Sequence, residues 1–262
     1  MTVQIDELFN GSVINDVINP LTNIRSESLL AFSELLANAT IIKSLQKRSN
    51  YLYGTGFNPL SQFTLDEHTH TQLLGNLLNP CYPHGQGDLF LISFLNLLDI
   101  YLPQLGIWQV QMETGNVDIL LKRENPHSVV IVENKSNLAV DQPAQLYRYW
   151  HEQIYVPNIG APGIDYGSPS AYRQDDIRAR YKILYLTPSR SKFPAVHSLR
   201  RPEWLSHIST LPEVVPLDWE HATYDDLIVR WLKGCKEEVP DTNLRLREYL
   251  AMYIEFWNKS FI

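Results

Sequence analysis

The sequence predicts an α/β fold: a mixed central sheet covered by helices on both faces, with extra helices at the N- and C-terminal ends. Three observations carry this expectation. Two apolar runs, VDILL at 117–121 and SVVIV at 128–132, are separated by a turn containing Asn125-Pro126, which reads as a β-hairpin. Another strand-like run, GIWQVQ at 106–111, comes just before them, so three strands follow one another as a meander. A helical segment carrying Gln145 and Tyr149 then precedes YKILYLT at 181–187, and a helix crossover of this kind adds a fourth strand to the sheet.

Taken in order, residues 1–48 read as helical. Leu29, Leu30, Phe32, Leu35, Leu36, Ile41, Ile42 and Leu45 recur there at helical spacing, a face expected to pack on the core or on a partner. A connector at 51–61, rich in Gly, Asn and Pro, separates this stretch from the rest. The expected organisation is a helical extension over 1–60, packed on the core, and a main domain over 61–262. A second helix starts near Thr64 or Asp66, either of which can cap it, and stops at Asn79-Pro80. Its apolar stripe is Leu73, Leu74, Leu77 and Leu78. His84-Gly85-Gln86-Gly87 reads either as a plain turn or as an approach to a phosphate, and Asp88 can cap a helix over 89–101. Downstream, 156–178 reads as a long loop, 214–217 as a short strand, and 222–235 and 243–261 as helices.

Composition narrows the class of function. With 44% apolar residues in 262, a sizeable core is expected. Cys81 and Cys235 match no CxxC spacing, so this chain alone cannot build a four-cysteine zinc or iron–sulfur centre. Sparse cysteine fits a reducing compartment. No run approaches ~18 apolar residues, and no apolar leader precedes Arg25, the first basic residue. A cytoplasmic protein without a membrane span is expected. The net charge of −7 weighs against a general nucleic-acid coat protein, but the charge is uneven. Residues 1–100 carry 4 Lys/Arg against 9 Asp/Glu, whereas 136–201 carry 9 against 5. The local positive excess is either a surface for an anionic partner or ordinary fluctuation.

The hairpin carries charges that apolar strands do not need. Asp118 lies within the first run, and Glu133-Asn134-Lys135 ends the second. A turn centred on Asn125-Pro126 pairs Asp118 with Glu133, with Cβ atoms about 5 Å apart on one face of the hairpin. Lys135, two residues beyond Glu133, falls on that same face. Two carboxylates so close repel one another in a half-buried site. A hard divalent cation resolves the repulsion, and oxygen-only ligands, with the Asn134 backbone carbonyl among them, select Mg²⁺ or Mn²⁺. Such a centre suits hydrolysis of a phosphodiester, with Lys135 holding the water or the developing charge. The competing interpretation is a structural ion pair at a strand end. Gln145 and Tyr149 share a helix face; Gln145 could hold a base, a phosphate or a water, and Tyr149 could donate to a phosphate, stack on a base or belong to the core. Glu67, by spacing alone, reads as an acid favoured by the N-terminal helix dipole, the alternative being an extra carboxylate directed at a metal. Arg148, Arg190, Lys192, Arg200 and Arg201 are candidates for contact with a phosphate backbone.

The set of Asp118, Glu133-Asn134-Lys135 and Gln145-Leu146-Tyr147-Arg148-Tyr149 resembles the PD-(D/E)XK nuclease superfamily, in its branch with a QxxxY motif that includes RecB-type and lambda-exonuclease-type nucleases. The resemblance covers roughly 64–235. It implies a restriction-endonuclease-like αβββαβ core and an Mg²⁺- or Mn²⁺-dependent nuclease. Glu67, Asp118 and Glu133 would bind metal, Lys135 would act on the water or transition state, and Gln145 and Tyr149 would position substrate. It also implies that Glu67, on the first core helix, joins the site. The cysteines of RecB-type iron–sulfur clusters are absent, which excludes that subtype. The expected substrate is nucleic acid, DNA in particular, in prokaryotic defence or DNA processing, with a protein partner or a second copy engaged through the N-terminal helices. The alternative from another class is a non-catalytic or partner-activated binding module that keeps the nuclease fold.

Overall fold

The computed structural model describes residues 11–54, 57–100 and 107–259. The chain divides between Phe57 and Asn58 into two compact units. The described residues of the first include one long helix, α1 (Gly11–Tyr53). Residues 1–10 of the stretch expected to be helical lie outside the described residues.

The second unit opens with a 3₁₀ turn, Pro59–Gln62, followed by α2 (Glu67–Leu78). Asp66 caps α2, its carboxylate accepting from the Thr69 amide at 2.7 Å. Asn79 ends it, because the residue before a proline avoids the helical region. The loop through Gly85 and Gly87 is a turn closed on itself, with the Gln86 amide donating to the His84 ring. Helix α3 (Leu89–Leu97) is shorter than expected at its described end. Asp99 takes φ +54°, which breaks the helical path, and Asp88 makes no side-chain cap. Residue 101, the expected end of this helix, lies outside the described residues.

The strands follow. β1 (Trp108–Thr114) runs beyond its expected end and turns into β2 (Val117–Arg123) through Gly115 and Asn116. Both turn residues have positive φ (60° and 64°), the two-residue geometry whose twist matches antiparallel strands. β3 (Ser128–Asn134) completes the meander. Helix α4 (Gln145–Trp150) continues through a wider turn, His151–Tyr155, and a 3₁₀ turn, Val156–Asn158, so helical structure occupies the first residues of the expected loop. The short α5 (Asp175–Arg178) leads into β4 (Tyr181–Thr187), and α6 (Val196–Leu199) follows. The expected strand at 214–217 does not form; Val214 makes only an isolated bridge to Arg200. The last strand is instead β5 (Trp219–Thr223). Its sequence, WEHAT, is weakly apolar because an edge strand need not bury both faces. Helical turns over Tyr224–Val229 lead into α7 (Arg230–Glu238), and α8 (Leu244–Lys259) ends the described chain.

The sheet order is β1-β2-β3-β4-β5, antiparallel through β3 and parallel from β3 to β5. Ile119 faces Val132 and Leu121 faces Val130, the register that sets Asp118 against Glu133. Every residue of β3 is buried, which explains its unbroken apolar run. Alternation along the strands feeds two cores. Ile119, Leu121, Val130, Val132, Leu184 and Leu186 pack with α2, α3, α7 and α8. Leu120, Val129, Ile131, Ile183 and Tyr185 pack with α4 and the segment beyond it. Gly75 lets α2 approach the sheet closely, since a Cβ there would collide with the Met112 side chain on β1. Among the described residues no helix is long and apolar enough to cross a membrane.

Candidate active site

The carboxyl ends of β3 and β4 and the start of β2 meet at one end of the sheet, beside the N-termini of α2 and α4. Glu133 is fully buried there, with 1% of its surface exposed. One carboxylate oxygen, Oε1, accepts from Lys135 Nζ at 2.5 Å and from Gln145 Nε2 at 2.8 Å. The other, Oε2, is buried without a hydrogen-bond partner. Gln145 Nε2 also donates to the Tyr149 hydroxyl at 2.8 Å, and Tyr149 donates in turn to the Asn116 carbonyl in the β1–β2 turn. Gln145 and Tyr149, read from the sequence as substrate contacts, are therefore buried supports that fix Glu133. The i, i+4 spacing is what brings both to bear on the same carboxylate.

Asp118 lies on the same face of β2, its Oδ2 accepting from the Asn134 amide at 2.7 Å. Burial raises its pKa to about 6, against the lowering effect of that amide bond and of Lys135. Burial, together with repulsion from Asp118, raises Glu133 to about 8. Lys135 is nearly as buried; desolvation pulls its pKa down, but Glu133 more than compensates, and the net shift is upward. Two acids pushed up beside a lysine held charged form a site short of positive charge. Such separated shifts are characteristic of functional sites.

The Asn134 side chain has a role that the sequence did not suggest. It points to the other face of β3. There its Nδ2 donates to the Glu67 carbonyl at 3.1 Å and to Thr71 Oγ1 at 3.0 Å, while its Oδ1 accepts from the Tyr224 hydroxyl at 2.7 Å. It thereby ties the first turn of α2 to the end of β3 and places Glu67 beside the carboxylates. Glu67 adds charge that raises Asp118. Its Oε1 accepts from the amides of Asn137 (3.3 Å) and Ala139 (3.1 Å), in the loop after Lys135. Among the described residues no three acidic, histidine or cysteine side chains form a ready-made metal cluster. Asn134→Ala is expected to cost about 1–3 kcal/mol in urea unfolding, through loss of its buried hydrogen bonds. An unfolding midpoint unchanged from the parent would contradict this bracing role.

The cations expected to meet a phosphate backbone are dispersed. Lys192 closes the loop after β3, donating to the carbonyls of Leu138 (2.9 Å) and Ala139. Arg190 pairs with Asp226 at 2.6 Å and is largely exposed. Arg148 donates to Gln142 Oε1 at 3.1 Å. Arg200 lies at the bridge to Val214. Arg201 is held by the carbonyls of Ile208 and Leu211 and by Glu213, so its guanidinium is already engaged within the protein. A further acid, Asp141, was not singled out in the sequence. It is buried and accepts from the Tyr185 hydroxyl (2.8 Å) and the Ala195 amide (2.7 Å), which pins the entrance to α4 against β4. Neither Asp141 nor Tyr224 carries a local signal, because the partners of both lie far away in the chain.

The orphaned Glu133 oxygen and the two carboxylates raised by burial fit a divalent cation, which would supply the missing positive charge. A pair of carboxylates beside a lysine, at the strand ends of an αβββαβ sheet, is the arrangement of metal-dependent phosphodiesterases. A family model described as the PD-(D/E)XK nuclease superfamily matches residues 57–255, and the chain belongs to this superfamily. Its members are in general nucleases that hydrolyse phosphodiesters, typically with Mg²⁺ or Mn²⁺. Comparison with curated proteins and with solved structures finds no match.

Proposed function

We propose that this chain is an Mg²⁺- or Mn²⁺-dependent nuclease that cleaves DNA. The observation that carries the reading is the buried Glu133 carboxylate, with one oxygen on Lys135 and Gln145 and the other without a partner, facing Asp118. Asp118, Glu133 and the Asn134 carbonyl would hold the metal, joined by Glu67. Bound there, the ion would act as a Lewis acid toward a phosphate oxygen and offset the negative charge of the site. Lys135 donates to the attacking water, or to the charge that builds on the phosphate as the P–O bond breaks. Gln145 and Tyr149 hold Glu133 in one rotamer, so that its second, unpartnered oxygen keeps a fixed position for a metal. Arg148, Arg190, Lys192 and Arg200 are the cations left to meet the strand.

One observation favours a second, partner-activated form of the same reading. Glu67 Oε1 is engaged by the loop amides of Asn137 and Ala139, so the full carboxylate becomes available to a metal only when that loop moves. The unit carrying α1 is the natural docking part for such a partner or for a second copy. Prokaryotic defence or DNA processing in the cytoplasm belongs to the same proposal.

The test is incubation of the full chain with Mg²⁺ or Mn²⁺ and linear, circular and single-stranded DNA, and RNA. Cleavage of DNA that stops with EDTA is expected. If no substrate is cut and Lys135→Ala behaves like the parent, the enzyme reading is wrong.

A further inference from the structure

The loop that follows Lys135 is braced from two sides. It leaves β3 in a tight turn, with the Leu138 amide donating to the Lys135 carbonyl at 2.9 Å. Leu138 takes φ +59°, a left-handed conformation that is strained for a leucine and persists only where its surroundings impose it. On one side, Glu67 Oε1 accepts from the amides of Asn137 (3.3 Å) and Ala139 (3.1 Å). On the other, Lys192 Nζ donates to the carbonyls of Leu138 (2.9 Å) and Ala139. Ala139 is therefore held at both ends of its backbone, its amide by Glu67 and its carbonyl by Lys192.

Both braces use charged groups on neutral partners. Among the described residues Lys192 forms no ion pair, and its ammonium is spent on two carbonyls. Desolvation lowers its pKa, and Asp141, Lys135, Glu67 and Glu133 all act on its charge, so it stands close to the candidate site. Glu67 likewise acts on Asp118 while its Oε1 is given to the loop. A divalent cation held by Asp118 and Glu133 is a stronger partner for that oxygen than two amides are.

We infer that Lys192 is a positioning residue for the metal site: it holds the loop closed, the loop amides hold Glu67 Oε1, and the cation competes with the loop for that oxygen. The inference rests on the metal-dependent nuclease reading and names what regulates the site. Because coupling of this kind is reciprocal, metal loosens the loop and a loosened loop strengthens metal binding. Once the brace gives way, the Lys192 ammonium is released for a phosphate of the strand, a charged acceptor that it prefers to a carbonyl.

The test reads metal affinity and loop opening rather than cleavage. Mg²⁺ binding to the full chain is measured by titration calorimetry, and amide hydrogen exchange is followed by NMR with and without Mg²⁺. Lys192→Gln is expected to raise Mg²⁺ affinity about tenfold, the scale on which contacts behind the ligands tune a metal site. In a Glu67→Gln background the same change should leave affinity as it was, because no carboxylate remains to be released. In the parent, the Asn137 and Ala139 amides should exchange faster once Mg²⁺ is bound, the reverse of the protection that a ligand ordinarily confers. That measurement needs no variant. An equal gain from Lys192→Gln in both backgrounds means that Lys192 acts on the ion by its charge alone, and overturns the inference. Mg²⁺ binding that leaves both amides as protected as before also overturns it. In either case the ion still binds and the nuclease reading stands. A parent chain that binds no Mg²⁺ removes both.

Discussion

Glu133→Gln is expected to make the metal-free protein more stable at pH 8 and to remove the hydrolytic activity proposed for it. The folded protein holds the Glu133 proton up to about pH 8, because burial and Asp118 disfavour the carboxylate. The unfolded chain releases that proton near pH 4.5. Between those values the native state binds the extra proton, so stability is full below about 4.5 and is lost as pH rises toward 8. Asp118, raised to about 6, adds a smaller loss in the same direction. Glutamine keeps the shape, can still accept from Lys135 and never ionises. The variant should therefore match the parent near pH 4.5 and exceed it at pH 8, by at least about 2–4 °C in Tm. Calorimetry in EDTA across this window measures it. A variant that melts below the parent at pH 8 would show that the ionised Glu133–Lys135 pair stabilises the fold, contrary to the direction argued here. Mg²⁺ should raise the Tm of the parent and leave the variant unmoved. Activity should fall more than about 100-fold, since a direct ligand matters more than the residues that orient it.

Lys135→Ala is expected to lower kcat about 10²–10³-fold with little change in KM, the pattern for a donor used mainly in the transition state. Its ammonium is buried and fixed against Glu133, whose ionised form raises the Lys135 pKa, so it needs no reorganisation as charge develops. Removing it leaves Asp118 and Glu133 without their internal cation. The metal-free variant should lose more stability at pH 8 than at pH 5, and Mg²⁺ should rescue it by more than it helps the parent. Steady-state kinetics on a labelled oligonucleotide, with melting curves at both pH values, reads all of this. Residual kcat within tenfold of the parent would remove Lys135 from the chemistry.

Much of the sheet was legible in the sequence. VDILL and SVVIV announced themselves because β2 and β3 are central and bury both faces. The turn at Asn125-Pro126 then set the register, and side-chain alternation put Asp118, Glu133 and Lys135 on one face. WEHAT was missed because an edge strand carries little apolar pattern, and the more apolar 214–217 drew the assignment instead. The end of α3 was misplaced because Asp99 adopts a left-handed conformation that its neighbours do not forecast.

What the sequence determined by itself was local content: that the first four strand runs are strands, that α2 starts near Thr64 or Asp66, and that an acid, an acid and a lysine share one strand end. Periodicity and turn chemistry act over a few residues, and those features are written at that range. Only the tertiary structure decided how the side chains are used. It turned Gln145 and Tyr149 inward onto Glu133, and it made Asn134 the brace between β3 and α2. It engaged the Arg201 guanidinium within the protein. These contacts join residues from 7 to 90 positions apart in the chain. They depend on how the two faces of one sheet are packed, which no local pattern encodes.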